Sequence, residues 1–206
     1  MRKLLIATTN PGKIREYKEI FNRLKLPVKL VSLKDLKIKE KVKEDGETFE
    51  ENAVKKAKFY YKLTKLPTLA EDSGLEIDYL NGQPGVKSRR WPGYEASDKE
   101  LINITLKKLK GVTLEKRGAQ LRVVMALIID EKVKTFQGLL RGIIMEKPIK
   151  KMIPGYPFRS LFYLPEIKKV IGELTMEQEA MVAHRKKAVK KALPILKKIF
   201  NLNLRS

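Results

Sequence analysis

The sequence contains no cysteine. That excludes disulfides, thiolate nucleophiles and cysteine-ligated metals. A single histidine, His184, excludes zinc sites built from several imidazoles and leaves that residue as a donor, a proton shuttle or a structural group. No apolar run approaches the roughly 20 residues that cross a bilayer, because Lys, Arg, Asp or Glu interrupts each one. The apolar stretch near the start is about six residues, short of the roughly 7–15 of a signal-peptide core. It reads as a first strand, and the expectation is a soluble, cytoplasmic protein with no membrane partner. Acidic side chains are the scarcer charge, 24 against 45 Lys and Arg, for a formal net charge of +21. A magnitude of about 2–8 suits a small soluble domain. The excess has two readings: a polyanionic partner such as a nucleotide or nucleic acid, or a Lys-rich solvated surface laced with ion pairs.

The 206 residues suffice for a single large α/β domain, residues 1–206, or for two lobes sharing one sheet. The run KLLIAT, Lys3 to Thr8, meets Asn10-Pro11-Gly12 at once, which is strand followed by turn. Apolar positions at Ile14, Tyr17, Ile20, Phe21 and Leu24 then have helical spacing. Thr48 and Glu51 form a T-x-x-E start for a second helix through Ala53, Ala57 and Tyr60, ended by Leu66-Pro67. A short strand over Thr68 to Ala70 is expected to deliver Glu71-Asp72-Ser73-Gly74 to its carboxyl end. Asp98 reads as the cap of a third helix, and two β-rich runs flank Asp130-Glu131 as a hairpin. A basic helix is expected from Lys186 to Ile199, kinked at Pro194. Alternating strands and helices give an α/β fold with a mixed sheet.

Chemistry is concentrated in three places. T-T-N-P-G-K, Thr8 to Lys13, ends a strand and opens a helix, where N–H groups, the helix dipole and the lysine favour an anion. Its spacing is not that of a P-loop, and an ordinary Asn-Pro-Gly turn remains an alternative reading. The acids Glu44, Glu47, Glu50, Glu51, Glu71 and Asp72 offer oxygen ligands for Mg²⁺, which takes only one or two carboxylates and keeps its waters. Most of them read equally well as solvated helix-surface acids. The third place is Ala183-His184-Arg185.

These segments together resemble the inosine triphosphate pyrophosphatase family. The most specific stretch is AEDSGLEIDYLNGQPGVKSRRW, Ala70 to Trp91, joined in order by TTNPGK, EDGETFEENA with Lys56-Ala57, FQG near Phe136, and His184-Arg185. The resemblance implies an elongated two-lobed α/β fold around a mixed sheet, with the nucleotide in the cleft between lobes, and a homodimer. It implies Mg²⁺-dependent hydrolysis of non-standard purine nucleoside triphosphates to the monophosphate and pyrophosphate. Thr8, Thr9, Asn10, Pro11, Gly12, Lys13, Lys56 and Ser73 fall to the phosphates, and Glu44 and Asp72 to the metal. Asp72, Lys13 and Glu44 are the catalytic residues so implied, with Asp72 as general base or as the ligand that places the water. Tyr156 would stack on the base, and His184 and Arg185 would donate to a purine O6.

The base end departs from the family pattern. GYPFRSLF, Gly155 to Phe162, has Arg159 where the family has Asp, Glu179 stands in place of a Lys, and Ala183 in place of a Ser. Two opposite reversals of charge have two readings: an ion pair of Arg159 with Glu179, or a shifted loop in which both side chains are simply solvated. They also leave two alternatives open: a diverged nucleotide- or nucleic-acid-binding protein, and a pyrophosphatase of altered base specificity.

Overall fold

The computed structural model describes residues 3–199. Among the described residues, five α-helices and seven strands follow the expected alternation: β1 Lys3–Ile6, α1 Pro11–Arg23, β2 Lys29–Ser32, α2 Phe49–Thr64, β3 Thr68–Ile77, α3 Asp98–Lys108, β4 Gly118–Ile129, β5 Lys132–Ile144, β6 Phe162–Leu164, β7 Lys169–Val170, α4 Met176–Val182 and α5 His184–Ile199. The strands form one sheet in the order β2-β1-β3-β4-β5-β6-β7. It is mixed: β1 pairs in parallel with β2 and β3, whereas β5, β6 and β7 pair antiparallel.

Local chemistry sets the ends of these elements. Asn10 caps α1, and Thr48 with Glu51, Ser97 with Glu100, and Thr175 with Gln178 make capping boxes on α2, α3 and α4. Each such cap satisfies orphan N–H groups and contributes about 1 kcal/mol. The cap of α3 is therefore Ser97, and Asp98, expected in that role, is the first helical residue. Asp130 and Glu131 join β4 to β5 with φ of 46° and 64°. Two consecutive left-handed residues fit the turn that matches strand twist in a hairpin.

β3 is longer than the sequence suggests. Glu71-Asp72-Ser73-Gly74 lies inside it instead of ending it. Leu75 and Ile77 resume the period-2 burial of a sheet strand, so tertiary pairing overrides the turn-like polar residues. The parallel pairing of β1 with β3 nonetheless stops at Ile6 and Leu69. Glu71 and Asp72 thus stand just past the carboxyl end of the paired segment, where α/β sheets carry their ligands.

The basic helix begins at His184, two residues before its expected start, and continues through Pro194, whose ring is exposed. Ala192 and Leu196 on either side are fully buried. Their packing holds the helix against the hydrogen bond that proline removes.

The chain divides into two compact units. The first comprises Met1–Asp72, Val123–Gly138 and His184–Ser206, and the second Ser73–Arg122 and Leu139–Ala183. The core of the first unit gathers Leu4 and Ile6, the α1 face of Tyr17, Ile20 and Phe21, the alternate β4 residues Val123, Met125, Leu127 and Ile129, and Val189, Ala192 and Leu196 of α5. The second unit buries Leu75, Ile77, Leu101, Leu140, Ile144, Phe158 and Phe162. Burying one such large side chain contributes roughly 1.5–3 kcal/mol relative to leaving it in water. Among the described residues no helix is long and apolar enough to cross a membrane.

Candidate functional site

In the first unit the loop after β1 turns back on itself. The Thr8 hydroxyl accepts from the Asn10 N–H at 3.2 Å, and Asn10 Oδ1 accepts from the N–H groups of Gly12 and Lys13 at 2.8 and 3.3 Å. Pro11 has no N–H to offer. The side chain of Asn10 is thus the cap of α1 and takes up helix-start donors that the sequence reading left to an anion. The Thr8 and Thr9 hydroxyls and the Lys13 ammonium are further donor groups of this loop.

Lys13 leads to a buried cluster that the sequence did not signal. Its Nζ meets Glu71 Oε1 at 2.9 Å. Arg185 donates to both oxygens of the same carboxylate, Nε to Oε2 at 2.8 Å and Nη2 to Oε1 at 2.7 Å. The Tyr17 hydroxyl donates to Oε2 at 2.6 Å, and Arg185 Nη1 reaches Glu16 Oε2 at 2.9 Å. Glu71 is 2% exposed. Burial pushes its carboxyl up, but the Arg185 and Lys13 cations and the hydrogen bonds outweigh this and hold it well below the usual carboxylate range. Burial beside Glu71 drives the Tyr17 hydroxyl the other way, well above its usual value, so it stays a donor. The structure therefore places Arg185, expected at the base, on two carboxylates.

α2 brings Asn52 and Lys56, one turn apart on a single buried face, toward the same strand segment. Lys56 Nζ donates to Glu44 Oε2 at 2.6 Å and to the Glu71 carbonyl at 2.9 Å. Asn52 Nδ2 donates to Asp72 Oδ2 at 3.0 Å, while its Oδ1 accepts from the Gly46 N–H at 2.8 Å. A Cβ at Gly46 would lie 2.8 Å from Glu51 Cβ and 2.9 Å from Asn52 Oδ1, so this glycine permits the clasp. Asn52 was not singled out from sequence, although a weak helix former inside an otherwise strong helix start was the available signal.

Burial raises the Asp72 carboxyl above its usual value; Lys56 and Lys13 oppose the shift and Glu44 adds to it. Two carboxylates in mutual repulsion, with all-oxygen donors, fit a hard divalent cation such as Mg²⁺, which would relieve that repulsion. Among the described residues no group of three or more His, Asp or Glu converges on one point. Two protein carboxylates are what Mg²⁺ ordinarily takes beside substrate phosphates.

The Phe136-Gln137-Gly138 motif acquires a steric reason. A Cβ on Gly138 would come within 1.9 Å of the His184 carbonyl oxygen, so only glycine lets β5 approach the first turn of α5. His184 is itself buried there.

In the second unit a single 3₁₀ turn, Pro157–Ser160, follows Tyr156. Residues three apart eclipse in such a turn, and the Arg159 guanidinium carbon lies 4.2 Å from the Tyr156 ring centroid. Arg159 Nη1 also meets Glu179 Oε1 at 2.5 Å, so of the two readings of the charge reversals the structure has the ion pair. Ser73 lies half-buried on β3, directly after Asp72. The cycle of Arg159→Ala, Glu179→Ala and the double variant is expected to give a coupling of about 1 kcal/mol in urea unfolding, because both groups are largely shielded. Additivity within about 0.3–0.5 kcal/mol would remove the pair from the stability account.

With this geometry established, the chain can be set beside known proteins. The model of the Ham1 family matches residues 4–195. The chain belongs to the Ham1 family. A relative from Thermoanaerobacter pseudethanolicus, named dITP/XTP pyrophosphatase, is 40% identical over 189 residues, covering 92% of this chain and 93% of the relative. The Ham1 protein of Staphylococcus aureus superposes with a TM-score of 0.81 at 32% identity, over 96% of this chain and 99% of its own. A HAM1 protein from Coxiella burnetii gives a TM-score of 0.83 at 31% identity, over 96% and 100%.

Proposed function

We propose that this protein hydrolyses non-standard purine nucleoside triphosphates, the inosine and xanthosine forms and their deoxy counterparts, to the monophosphate and pyrophosphate. The observation that carries the reading is the convergence of Lys13, Lys56, Glu44 and Asp72 around one strand end, in a Ham1-family chain 40% identical to a dITP/XTP pyrophosphatase. Water attacks the α-phosphorus, a new P–O bond forms, and the bond from that phosphorus to the bridging oxygen breaks to release pyrophosphate. Asp72 either takes the proton of the attacking water or, as a magnesium ligand, places that water. Its carboxyl, raised by burial, is a better proton acceptor than an exposed aspartate. Asn52 fixes the rotamer of that carboxylate, and Lys13 and Lys56 supply positive charge where the phosphate oxygens become more negative.

Glu44 and Asp72 would hold Mg²⁺. Bound there, the ion would neutralise phosphate charge and lower the pKa of an attacking water. Thr8, Thr9 and Ser73 would donate to phosphate oxygens. Tyr156 would stack on the base, and Arg159, Glu179 and His184 would read its edge. A homodimer and a cytoplasmic location belong to this reading, the first on the family resemblance and the second on a composition without cysteine.

Incubation with a panel of nucleoside triphosphates and magnesium, with monophosphate and pyrophosphate both quantified, tests the activity. Inosine and xanthosine triphosphates are expected to be cleaved at least tenfold faster than ATP; no pyrophosphate from either would overturn the reading. Lys13→Ala is expected to weaken triphosphate binding about tenfold or more while leaving the bare nucleoside within twofold, because this reading assigns the ammonium to phosphate and not to the base. Equal losses in calorimetric titrations of the two would take Lys13 out of the phosphate site.

A further inference from the structure

Glu71 is adjacent in sequence to the proposed general base and has no part in the chemistry above. Yet its carboxylate binds the Lys13 ammonium at 2.9 Å, and its carbonyl accepts from Lys56 at 2.9 Å. Glu71, Glu16, Arg185 and Lys13 form a group of two anions and two cations whose charges cancel. Arg185 is 3% exposed and Glu71 1% by side chain, but Lys13 is 19% exposed, so the lysine is the member of the group nearest solvent. If Lys13 is drawn fully onto a phosphate, the three groups left behind carry a net negative charge in a buried place, which is costly.

We propose that Glu71 is a positioning residue that competes with the polyphosphate for Lys13. The carboxylate occupies the ammonium as a phosphate oxygen would, keeps it aimed along the strand end, and limits how tightly the site holds a small anion such as the product pyrophosphate. The inference rests on the assignment of Lys13 to phosphate made above. Tyr17 moderates the competition, since the hydrogen bond it donates draws charge away from the carboxylate.

The test is calorimetric titration of the full-length protein with inorganic pyrophosphate in magnesium buffer. Glu71→Gln keeps an acceptor oxygen for Arg185 and Tyr17 but removes the charge. It is expected to lower the pyrophosphate Kd about tenfold, and to have no effect beyond twofold when Lys13 is already Ala. Tyr17→Phe should act in the opposite sense and raise that Kd about threefold, because the carboxylate then grips Lys13 harder. A scaffold role for Glu71 would instead weaken binding, with or without Lys13. Unchanged or weaker binding in Glu71→Gln overturns the competition. If that variant does not fold, unchanged or tighter binding in Tyr17→Phe overturns it. Should Lys13→Ala alone leave pyrophosphate binding intact, the phosphate-site reading itself falls; a loss there with no tightening in Glu71→Gln removes this inference only.

Discussion

Asp72→Asn should lower kcat by roughly 10²–10⁴-fold and leave the fold intact. The amide preserves shape and can still accept from Asn52, so packing changes little, but it cannot take a proton or balance a cation. The stability effect should be small and of opposite sign to the usual mutational loss. Because burial raises the Asp72 carboxyl, its ionised form is less favourable in the folded chain than in the unfolded one. The wild-type protein without metal should therefore gain stability as pH falls through that raised value, and the asparagine variant should hold the gain at neutral pH. With magnesium bound, the wild-type activity should fall at lower pH than this stability gain, because the cation favours the ionised Asp72 carboxylate. Single-turnover rates and thermal melts across pH 4–8 check both halves. Turnover within a few-fold of wild type would remove Asp72 from catalysis.

Arg185→Ala is expected to destabilise the first unit by about 3–5 kcal/mol. The guanidinium is held by two carboxylates, and its removal takes the Arg185 counter-charge from buried Glu71, which keeps its ion pair with Lys13, and from Glu16. The pH dependence carries a second signature. Arg185 and Lys13 hold the wild-type Glu71 carboxyl well below its usual range, so its contribution to stability is fully present above that range and is lost as pH falls through the depressed value. Without Arg185 the depression shrinks, and the acid-side decline should flatten. Urea unfolding at pH 7 and pH 4 would read both effects. A loss under about 1 kcal/mol at pH 7 would mean that the cluster contributes little to the fold.

The sequence displayed what is local and concealed what is assembled across distance. Thr48 and Glu51 announce their capping box because both partners lie within one turn. The Thr8–Lys13 loop is equally local, although reading it as a row of free N–H donors overlooked that Asn10 consumes them. The Glu71 cluster was out of reach: its partners Tyr17 and Arg185 lie 54 and 114 positions away, and nothing in a local window distinguishes it from the surface acids around it. The length of β3 was hidden for a related reason, since Asp72-Ser73-Gly74 has the composition of a turn and only its sheet neighbours make it a strand. Arg159 and Glu179 were an exception to this rule of distance. Two opposite departures from one pattern point to each other by charge balance, even without geometry.

The division of the chain into interleaved stretches fixes an order of events during synthesis. The ribosome has made every residue of the second unit once Ala183 is added, but the first unit lacks α5 until the last stretch, His184 onward, is joined. Until then Glu71 has no Arg185, and the β4 residues of the first core have no Val189, Ala192 or Leu196 to cover them. A nascent chain can therefore complete its second unit while the Glu71 cluster of the first still lacks Arg185. Premature termination before residue 184 would yield a protein with the proposed base-stacking tyrosine in place and the buried charge cluster undone.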